Sequence, residues 1–343
     1  MNFDVVVNYG KPSEQKQWDA LSLACGNLVQ HSSSTALNRL FNEEAVFIEV
    51  YQSKRLVAGY QFSYYESKRL VSFLRFISRS INCWGEYLIV PDLEASVVAA
   101  LLDKTLLQFI KERRISRSSF INQYGLAYFP SFYTKPFATK FRIAVIDLEL
   151  PVDSLTTKLH AKHKYSIRKA EAAGVTVQKS TDIALFISLL KETYSTQVEK
   201  QGPNTDYIQA LYTTYLAEDF VSLYLAYKDG IAYSGALITH CGDIAYYSFA
   251  GLKKSEWFAG HLNQWFIIQD LKQRGFKQYV LGQVAAEMEQ KNDNEKFVKG
   301  ITPFKLRFGP SLRDGISSRL IHRPFSNFIW NCFVSLFSFI NRK

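Results

Sequence analysis

The sequence predicts an α/β (α+β) protein built from two similar domains in tandem, each with a mixed, mostly antiparallel sheet flanked by helices, plus a C-terminal helix. The main observation is an internal repeat: two alternating apolar runs around a polar turn occur at residues 45–65 and again at 221–240. In each half a helical pattern and then a strand follow this hairpin, at residues 93–113 and 118–122 and at residues 258–274 and 278–281. The same order of elements twice indicates two related domains.

The elements of the second half are the more sharply marked. Asp229-Gly230 is a two-residue hairpin turn, and a further strand is predicted at residues 244–249. Asp182 and Asn204 are predicted to cap the starts of two helices that precede the hairpin.

The domain boundary is predicted where an apolar strand, residues 142–150, ends at Pro151. We therefore expect an N-terminal domain at residues 1–150, a C-terminal domain at 151–312, and the basic and apolar C-terminal helix at 313–343. Because no low-complexity linker separates the two domains, we expect them to pack together with a cleft between them.

The charge balance limits the partners. A formal net charge of +10 favours nucleic acid, phosphorylated small molecules or anionic lipid, without choosing among them. The four cysteines are far apart and lack metal-ligand spacing, so we expect a reducing compartment and no metal site. The N-terminal segment has no apolar run of signal-peptide length, which predicts a cytoplasmic location.

The C-terminal segment, residues 324–340, is densely apolar and has basic residues on both sides: Arg319, His322, Arg323, Arg342 and Lys343. It is shorter than the roughly 20 apolar residues that span a bilayer. One interpretation is a helix in the membrane interface, which would be a peripheral contact with the inner face of the plasma membrane. The other is a final helix packed on the domain core.

A basic block lies between Lys158 and Lys169, and it contains no acid. We predict that it belongs to one helix, capped at Asp153 or Ser154 and closed by Gly174 in the left-handed conformation. Like charges then repeat at i,i+4 spacing, which destabilises a helix unless an anion or an acidic partner is nearby. The basic residues that could contact such an anion are Lys164, Arg168 and Lys169. The alternative is a solvated helix face screened by salt.

A second basic motif is predicted to be a strand at residues 304–309, after a helix that ends at Gly300. In a strand Lys305 and Arg307 would share one face, where two cations could hold a phosphate or polarise a carbonyl oxygen. The alternative is an edge strand whose charges meet only water. The chain contains no hydrolase, P-loop or dinucleotide-binding motif.

These segments support a resemblance to a known family. Residues 164–175 are similar to "R-x-x-I-R-K-A-E-x-x-G-V", and residues 304–309 are similar to "F-K-x-x-F-G". With the hairpin at 223–238 and the helix that opens near Leu262, they lie in the order found in the Fem family. The chain thus resembles the FemAB-like peptidoglycan-bridge aminoacyltransferases, which have two tandem GNAT-type domains. The first domain resembles them only in pattern, and residues 280–283 lack the family's Asp and two Gly.

The resemblance implies an acyltransferase without a metal or cofactor. Its donor would be aminoacyl-tRNA, and its acceptor an amine of a phosphorylated, nucleotide- or lipid-linked cell-envelope glycan precursor, from peptidoglycan or another polysaccharide pathway. Carried over, Lys305 is the catalytic residue that contacts the ester carbonyl or the tRNA end. The implied substrate-binding residues are Arg39, Lys164, Arg168, Lys169 and Arg307. No carboxylate is clearly placed as a general base, and the candidates are Asp206, Glu256 and Glu287.

Two other functions stay open. A CoA-dependent GNAT N-acyltransferase would use acyl-CoA as donor, but residues 255–261 hold a single glycine, so the backbone would not easily wrap a pyrophosphate. Lys253 and Lys254 could still meet a phosphate. A non-catalytic protein of the same fold, binding tRNA or an anionic glycan, is the third hypothesis. The sequence does not predict the oligomeric state.

Overall fold

The computed structural model describes residues 3–122, 128–134, 138–195, 202–284 and 295–340. The chain divides into two compact units, Met1–Lys140 with Gly315–Lys343 and Phe141–Asp314. This division differs from the predicted boundaries at 150 and 312. The strand predicted at residues 142–150 belongs to the second unit, and the C-terminal helix belongs to the first.

Elements are numbered along the chain. The strands are β1 (Asp4–Tyr9), β2 (Glu44–Gln52), β3 (Arg55–Tyr65), β4 (Ser80–Trp84), β5 (Leu88–Ile89), β6 (Arg117–Asn122), β7 (Thr139–Asp147), β8 (Thr176–Ser180), β9 (Val221–Lys228), β10 (Ile231–Cys241), β11 (Ile244–Leu252), β12 (Gln278–Val284) and β13 (Ser311–Ile321). The helices are α1 (Gln15–Ala24), α2 (Thr35–Asn38), α3 (Ala95–Glu112), α4 (Val152–Lys158), α5 (Ala161–Ala172), α6 (Ile183–Ser195), α7 (Thr205–Leu216), α8 (Ala259–Gln273), α9 (Glu295–Leu306) and α10 (Pro324–Ile340). Short 3₁₀ turns lie at Leu28–Gln30, Ser32–Ser34, Arg39–Phe41, Ser72–Ile77 and Ser131–Thr134.

The sheet of the first unit has the strand order β1-β2-β3-β4-β6, with the second half of β13 antiparallel to β6. Strands β4 and β6 are parallel, and α3 lies between them in sequence. The predicted hairpin at residues 45–65 is confirmed: β2 and β3 join through Ser53 and Lys54, both with positive φ, as a tight hairpin turn requires. Helix α1 packs Trp18 onto the sheet at Gly59, where an added Cβ would clash with the indole ring.

The sheet of the second unit repeats this arrangement in the order β8-β9-β10-β11-β12-β7. Its β11 and β12 are parallel, α8 lies between them, and the other neighbours are antiparallel. The second predicted hairpin is confirmed, with Asp229 at φ 50° and Gly230 at φ 77°. The two predicted caps are also confirmed: Asp182 accepts from the backbone N–H of Leu185, and Asn204 accepts from those of Asp206 and Tyr207.

The units differ at their parallel strand pairs. In the first unit β4 pairs with β6 along all five of its residues. In the second unit β11 and β12 pair only at Ile244–Tyr246 and Gln278–Val280, although both strands continue. Each strand also has an extra residue just beyond this point, Ser248 in β11 and Leu281 in β12. Beyond Tyr246 and Val280 the two strands no longer pair with each other, although β11 still pairs with β10 and β12 with β7. We call the space between these two strand ends the wedge.

The basic segment forms two helices rather than the single helix predicted. Helix α4 ends at Lys158 and α5 begins at Ala161, because Leu159 and His160 adopt extended backbone conformations. The His160 side chain then caps α5 by accepting from the Lys162 N–H at 3.1 Å. Gly174 follows α5 with φ 77°, which confirms the predicted left-handed closure.

The predicted strand at residues 304–309 is wrong, as is the helix end at Gly300. Helix α9 continues to Leu306, and the N–H of Arg307 still donates to the carbonyl of Pro303, at 3.2 Å. Gly309, with φ 75°, then turns the chain. Since Lys305 and Arg307 lie at the end of a helix, they do not share a strand face.

The predicted C-terminal helix is confirmed as α10, and it packs on the first unit. Trp330 is 9% exposed and forms a small apolar cluster with Leu70 and Ile77. The guanidinium of Arg117 lies 5.6 Å from the centre of the Trp330 ring. Within the described residues, no helix has the length and apolar character needed to cross a membrane.

Candidate functional site

The two sequence motifs, at the junction of α4 and α5 and at the end of α9, meet in the second unit. The His160 N–H donates to the Arg307 carbonyl at 2.9 Å, and His163 Nε2 lies 2.9 Å from the Phe304 carbonyl oxygen. Gly309 packs directly on Lys158, since an added Cβ would lie 2.7 Å from the Lys158 carbonyl oxygen. The motifs thus form one structural site although they are distant in sequence.

A pocket of about 460 Å³ opens beside this junction. Its lining comes from the first two turns of α5, the start of α8 and the residue that follows α9: Ala161, Lys162, His163, Tyr165, Ser166, Phe258, His261 and Arg307. Although the Lys162 N–H at the start of α5 already donates to the His160 side chain, the start of a helix carries partial positive charge. Together with the Lys162 and Arg307 side chains, this gives the α5–α8 pocket the electrostatics of an anion site.

Two imidazoles lie in the wall of the α5–α8 pocket. The rings of His163 and His261 are nearly perpendicular, with centres 4.7 Å apart, and both contact Phe304. Burial, with the neighbouring His163 and Arg307, lowers the pKa of His261 to about 4. Burial also lowers the pKa of His163, so both imidazoles are neutral at neutral pH.

Among the described residues, no group hydrogen-bonds to one of the two nitrogens of His163. The side chain is 1% exposed, and its Nδ1 atom is buried without a hydrogen bond. When Nε2 carries the proton and donates to the Phe304 carbonyl, Nδ1 is a free acceptor. A ligand hydroxyl or amine that reached this nitrogen would therefore gain a hydrogen bond that the protein does not make itself.

Lys305 contacts β12 at the edge of the wedge, where β12 no longer pairs with β11. Its side chain is buried, with 9% of the residue exposed, and Nζ donates to the carbonyl oxygen of Gln283 in β12 at 2.9 Å. Among the described residues no carboxylate pairs with this ammonium, and burial lowers the pKa of Lys305 to about 8. Gly282 leaves the approach open, since an added Cβ would stand 3.6 Å from Nζ. Such a lysine can donate to a developing oxyanion and exchange its proton near neutral pH.

The other predicted binding residues divide into three groups. Arg307 lines the α5–α8 pocket, and Lys169 Nζ lies 5.2 Å from the ring centre of Phe258, which also lines it. Lys164 and Arg168 lie on α5 outside the lining residues; Lys164 Nζ is 3.4 Å from the Thr157 carbonyl oxygen, and Arg168 is exposed. Arg39 is exposed at the start of a 3₁₀ turn in the first unit, and its role stays a prediction.

Two of the three candidate general bases, Asp206 and Glu256, lie within the described residues, and neither lines the α5–α8 pocket. Asp206 is exposed in the first turn of α7, and Glu256 is exposed in the segment before α8. Glu287 lies outside the described residues. The sequence did not predict His261 as a residue of the site. The available signal was the position of His261 in the first turn of a helix that follows a strand.

The fold and this site define the class of the protein. Residues 157–295 match the family described as an acetyltransferase (GNAT) domain. This match confirms the predicted class, an acyltransferase, and it covers most of the second unit. A comparison with curated protein sequences gives no match.

Solved structures extend the likeness to both units. The crystal structure of FemX superimposes with a TM-score of 0.70 at 13% identity, covering 90% of this chain and 96% of that one. The C-terminal domain of a putative lysylphosphatidylglycerol synthetase from Agrobacterium fabrum gives 0.55 at 12% identity, covering 93% and 95%. A tandem GNAT protein from the clavulanic acid biosynthesis pathway gives 0.53 at 11% identity, covering 94% and 99%. The chain therefore has a FemAB-like tandem GNAT fold, as the sequence resemblance predicted.

Proposed function

We propose that this protein is an aminoacyltransferase of the FemAB type. It would transfer an aminoacyl group from aminoacyl-tRNA to an amine of a nucleotide- or lipid-linked cell-envelope glycan precursor, at the cytoplasmic face of the membrane. The observation that carries the proposal is the buried ammonium of Lys305 at the edge of the wedge, with basic groups around the nearby α5–α8 pocket. The likeness to FemX and to a putative lysylphosphatidylglycerol synthetase favours an aminoacyl donor.

In this proposal the basic face holds the nucleic acid. Lys162 and Arg307 at the α5–α8 pocket would contact phosphates near the 3′ end of the tRNA, and Lys164 and Arg168 on α5 would contact phosphates further along. The Phe258 ring, with Lys169 beside it, offers a surface on which a terminal base can stack. These contacts carry no base sequence information, so the aminoacyl group itself would determine which tRNA is used.

The chemical step needs positioning, charge stabilisation and proton transfer. The acceptor amine attacks the ester carbonyl, a C–N bond forms, and the C–O bond to the ribose oxygen breaks. Lys305 would donate a hydrogen bond to the carbonyl oxygen as it gains negative charge, in a site where burial strengthens the interaction. With a pKa of about 8, Lys305 can also pass a proton to the leaving ribose oxygen and recover one from the attacking amine.

An acyl-CoA donor is the second candidate, favoured by the match of residues 157–295 to an acetyltransferase domain. The start of α8 argues against it. Phe258 takes the left-handed conformation there, with φ 52°, and its ring lines the α5–α8 pocket. The one glycine, Gly260, packs on Leu252, since an added Cβ would lie 3.3 Å from that side chain. Side chains of the protein therefore already cover the backbone at this helix start, where a CoA pyrophosphate would bind.

Binding at two salt concentrations separates these donors. Purified protein is titrated with acetyl-CoA and, separately, with a pool of aminoacylated tRNA. Salt-sensitive tRNA binding without a CoA signal supports the proposal, and each phosphate contact removed should flatten the plot of log affinity against log salt by about 0.7–0.9. The test variant is Arg168→Gln, and Lys104→Gln on the exposed face of α3 is its matched control. Tight CoA binding would contradict the aminoacyl-tRNA donor.

Turnover is tested with the same tRNA pool and a glycan precursor that carries a free amine. Formation of an amide linked to the precursor supports the transferase. Binding of both substrates without any product would instead indicate a non-catalytic protein that has kept this fold.

A further inference from the structure

An exposed apolar surface lies on the first unit and includes none of the residues assigned above to chemistry. Helix α10 is apolar on two faces. One face carries Trp330 and Phe333 against the 3₁₀ turn Ser72–Ile77. The other presents Phe325, 77% exposed, and Phe328, 65% exposed, which are three residues apart and so lie on one face.

The 3₁₀ turn that supports α10 is also apolar on its outside. Phe73 is 74% exposed and the preceding Val71 is 57% exposed, while Ile77 and Leu70 of the same segment are buried beneath Trp330. Two elements that pack on each other thus expose large apolar side chains together. Four apolar side chains of this size, exposed to water, reduce solubility and add nothing to the core. A patch of this kind indicates a surface that binds a membrane or another molecule.

The two chain segments that form this surface carry only basic charges, and the acid just before the first of them, Glu66, pairs with Arg79. From residue 67 to 85, and again from 315 to 340, the sequence contains Lys and Arg but no Asp or Glu. Lys68, Arg69, Arg319 and Arg323 are all exposed. A surface made of aromatic side chains with a cationic rim is complementary to an anionic bilayer, where rings enter the interface and cations contact phosphate.

One arginine beneath α10 is poorly satisfied by the protein. Arg117 has a buried Nη1 atom without a hydrogen-bond partner, and its guanidinium lies by Trp330. The strand register places Arg117 opposite Ile321 and Arg319 opposite Ser119, so both arginines are on the same face of the sheet. Burial, and then the charge of Arg319, lower the pKa of Arg117. Within the described part of the chain no carboxylate pairs with either arginine, and a lipid phosphate would supply an anion.

We propose that Val71, Phe73, Phe325 and Phe328 form a docking surface for anionic phospholipid membranes, with Arg117, Arg319 and Arg323 contacting headgroup phosphates. This surface would hold the protein at the membrane, where the proposed function requires it to act. All of its residues lie in the first unit, and its role does not depend on which acyl group is transferred. The protein would be held in the interface by side chains, since α10 is too short to span the bilayer.

Vesicle binding tests the surface directly. The full chain is mixed with vesicles of phosphatidylcholine alone or with about 30% phosphatidylglycerol, and the bound fraction is measured by sedimentation. We expect binding to the anionic vesicles that weakens as salt rises, because the Debye length shortens from about 10 Å at 0.1 M to about 3 Å at 1 M. No binding, or equal binding to both vesicle types, would overturn the proposal.

Two sets of variants assign the contacts. The triple variant Phe73→Ser, Phe325→Ser, Phe328→Ser should reduce partitioning at least about tenfold, whereas Ile231→Ser, which removes an exposed apolar side chain of the second unit, should not. Arg319→Gln with Arg323→Gln should weaken binding to anionic vesicles only. Its matched control removes two exposed charges of α3, with Lys104→Gln and Lys111→Gln.

The same measurements also distinguish membrane docking from dimer formation and from a failure of the proposed function. Thermal unfolding of each variant checks that it is folded, and the Phe variants should match the parent because these side chains are exposed. If the triple variant abolished a concentration-dependent dimer while the parent failed to bind vesicles, the surface would be an interface between copies of this chain, and the membrane proposal would be overturned. If vesicle binding held but no acyl transfer occurred, the docking surface would stand and the proposed function would fail.

Discussion

Replacing Lys305 with methionine tests the central feature of the site, a lysine buried without a carboxylate. Methionine has a similar shape and no charge, so it keeps the packing and removes the ammonium. We expect the variant to be more stable than the parent at pH 7 and less active in acyl transfer. When an enzyme buries a charged functional residue at a cost in stability, replacing that residue with an uncharged one makes the enzyme more stable.

The magnitude follows from the pKa of Lys305. In the unfolded chain it is 10.5, and in the folded protein burial lowers it to about 8. At roughly 1.4 kcal/mol per pH unit, this gap corresponds to about 3 kcal/mol of destabilisation below pH 8. The variant also loses the hydrogen bond to Gln283, which costs about 1–2 kcal/mol. The expected net gain at pH 7 is therefore about 1–2 kcal/mol.

The pH dependence gives the decisive signature. Between pH 8 and 10.5 the unfolded parent binds the lysine proton and the folded parent does not, so the parent's free energy of unfolding rises through this interval relative to that of the variant. Above pH 10.5 the lysine is neutral in both states, and the parent, which keeps its hydrogen bond, should be the more stable protein.

Urea denaturation from pH 7 to 11 measures this difference, with Lys104→Met on α3 as the exposed control. A stability difference between parent and Lys305→Met that does not change with pH would refute the reasoning. In the transfer assay, loss of a donor to the oxyanion should lower kcat by about 10²–10³ and leave the KM for tRNA nearly unchanged. An unchanged kcat would remove Lys305 from the mechanism.

Three further predictions concern the structure around the site and α10. Gly309→Ala should lower the free energy of unfolding by more than about 2 kcal/mol, because its Cβ would meet the Lys158 carbonyl oxygen at 2.7 Å. Gly10→Ala, with a similar φ of 76° and open surroundings, should cost about 1 kcal/mol, and equal effects in urea titrations would contradict the close contact. His261→Phe should reduce the loss of stability between pH 6.5 and 4. The reason is that the pKa of His261 is about 4 in the folded protein but 6.5 in the unfolded chain, so protonation below pH 6.5 favours unfolding. If the free energy of unfolding of the variant fell with acid as steeply as that of the parent, His261 would not be buried as described. Trp330→Ala should cost about 3 kcal/mol and speed amide exchange in α10, and unchanged exchange there would mean that the helix is held by other contacts.

Much of the fold was predictable because local patterns specify it. The Asp229-Gly230 turn, the Asp182 and Asn204 caps and the closure at Gly174 each rest on a residue whose backbone preference or side chain acts within a few positions. The repeat of hairpin, helix and strand predicted the tandem arrangement for the same reason. The errors occurred where long-range contacts override local preference, as at the junction of α4 and α5.

The strand predicted at 304–309 shows how such an error arises. The alternation of residues 304–308 fits a strand, but Phe304 and Phe308 are four residues apart and so also share one face of a helix. In the helix that forms, Leu306 is 38% exposed and Lys305 is buried, the reverse of what the alternation predicts. Contacts with a distant segment favour the helix, since the His160 N–H and the His163 ring satisfy carbonyls there. Alternation over five residues could not distinguish the two.

The candidate site was predicted by residue type more successfully than by position. Lys305 and the basic residues of α5 were identified from resemblance and charge, whereas the pairing of His163 with His261 required the packing of α5 against α8. The free Nδ1 of His163 could not be inferred from the chain, because it depends on which atoms surround one ring. The same holds for the burial that lowers the pKa of Lys305.

The sequence by itself determined the class of fold, its duplication and the chemical character of the site, because periodicity, caps and charge act over short distances. Only the tertiary structure decided that the wedge opens in the second unit and not in the first, and that the last helix and the second half of the last strand belong to the first unit. The physical reason is that strand pairing and burial join residues far apart in sequence, and no local pattern specifies which partner they find.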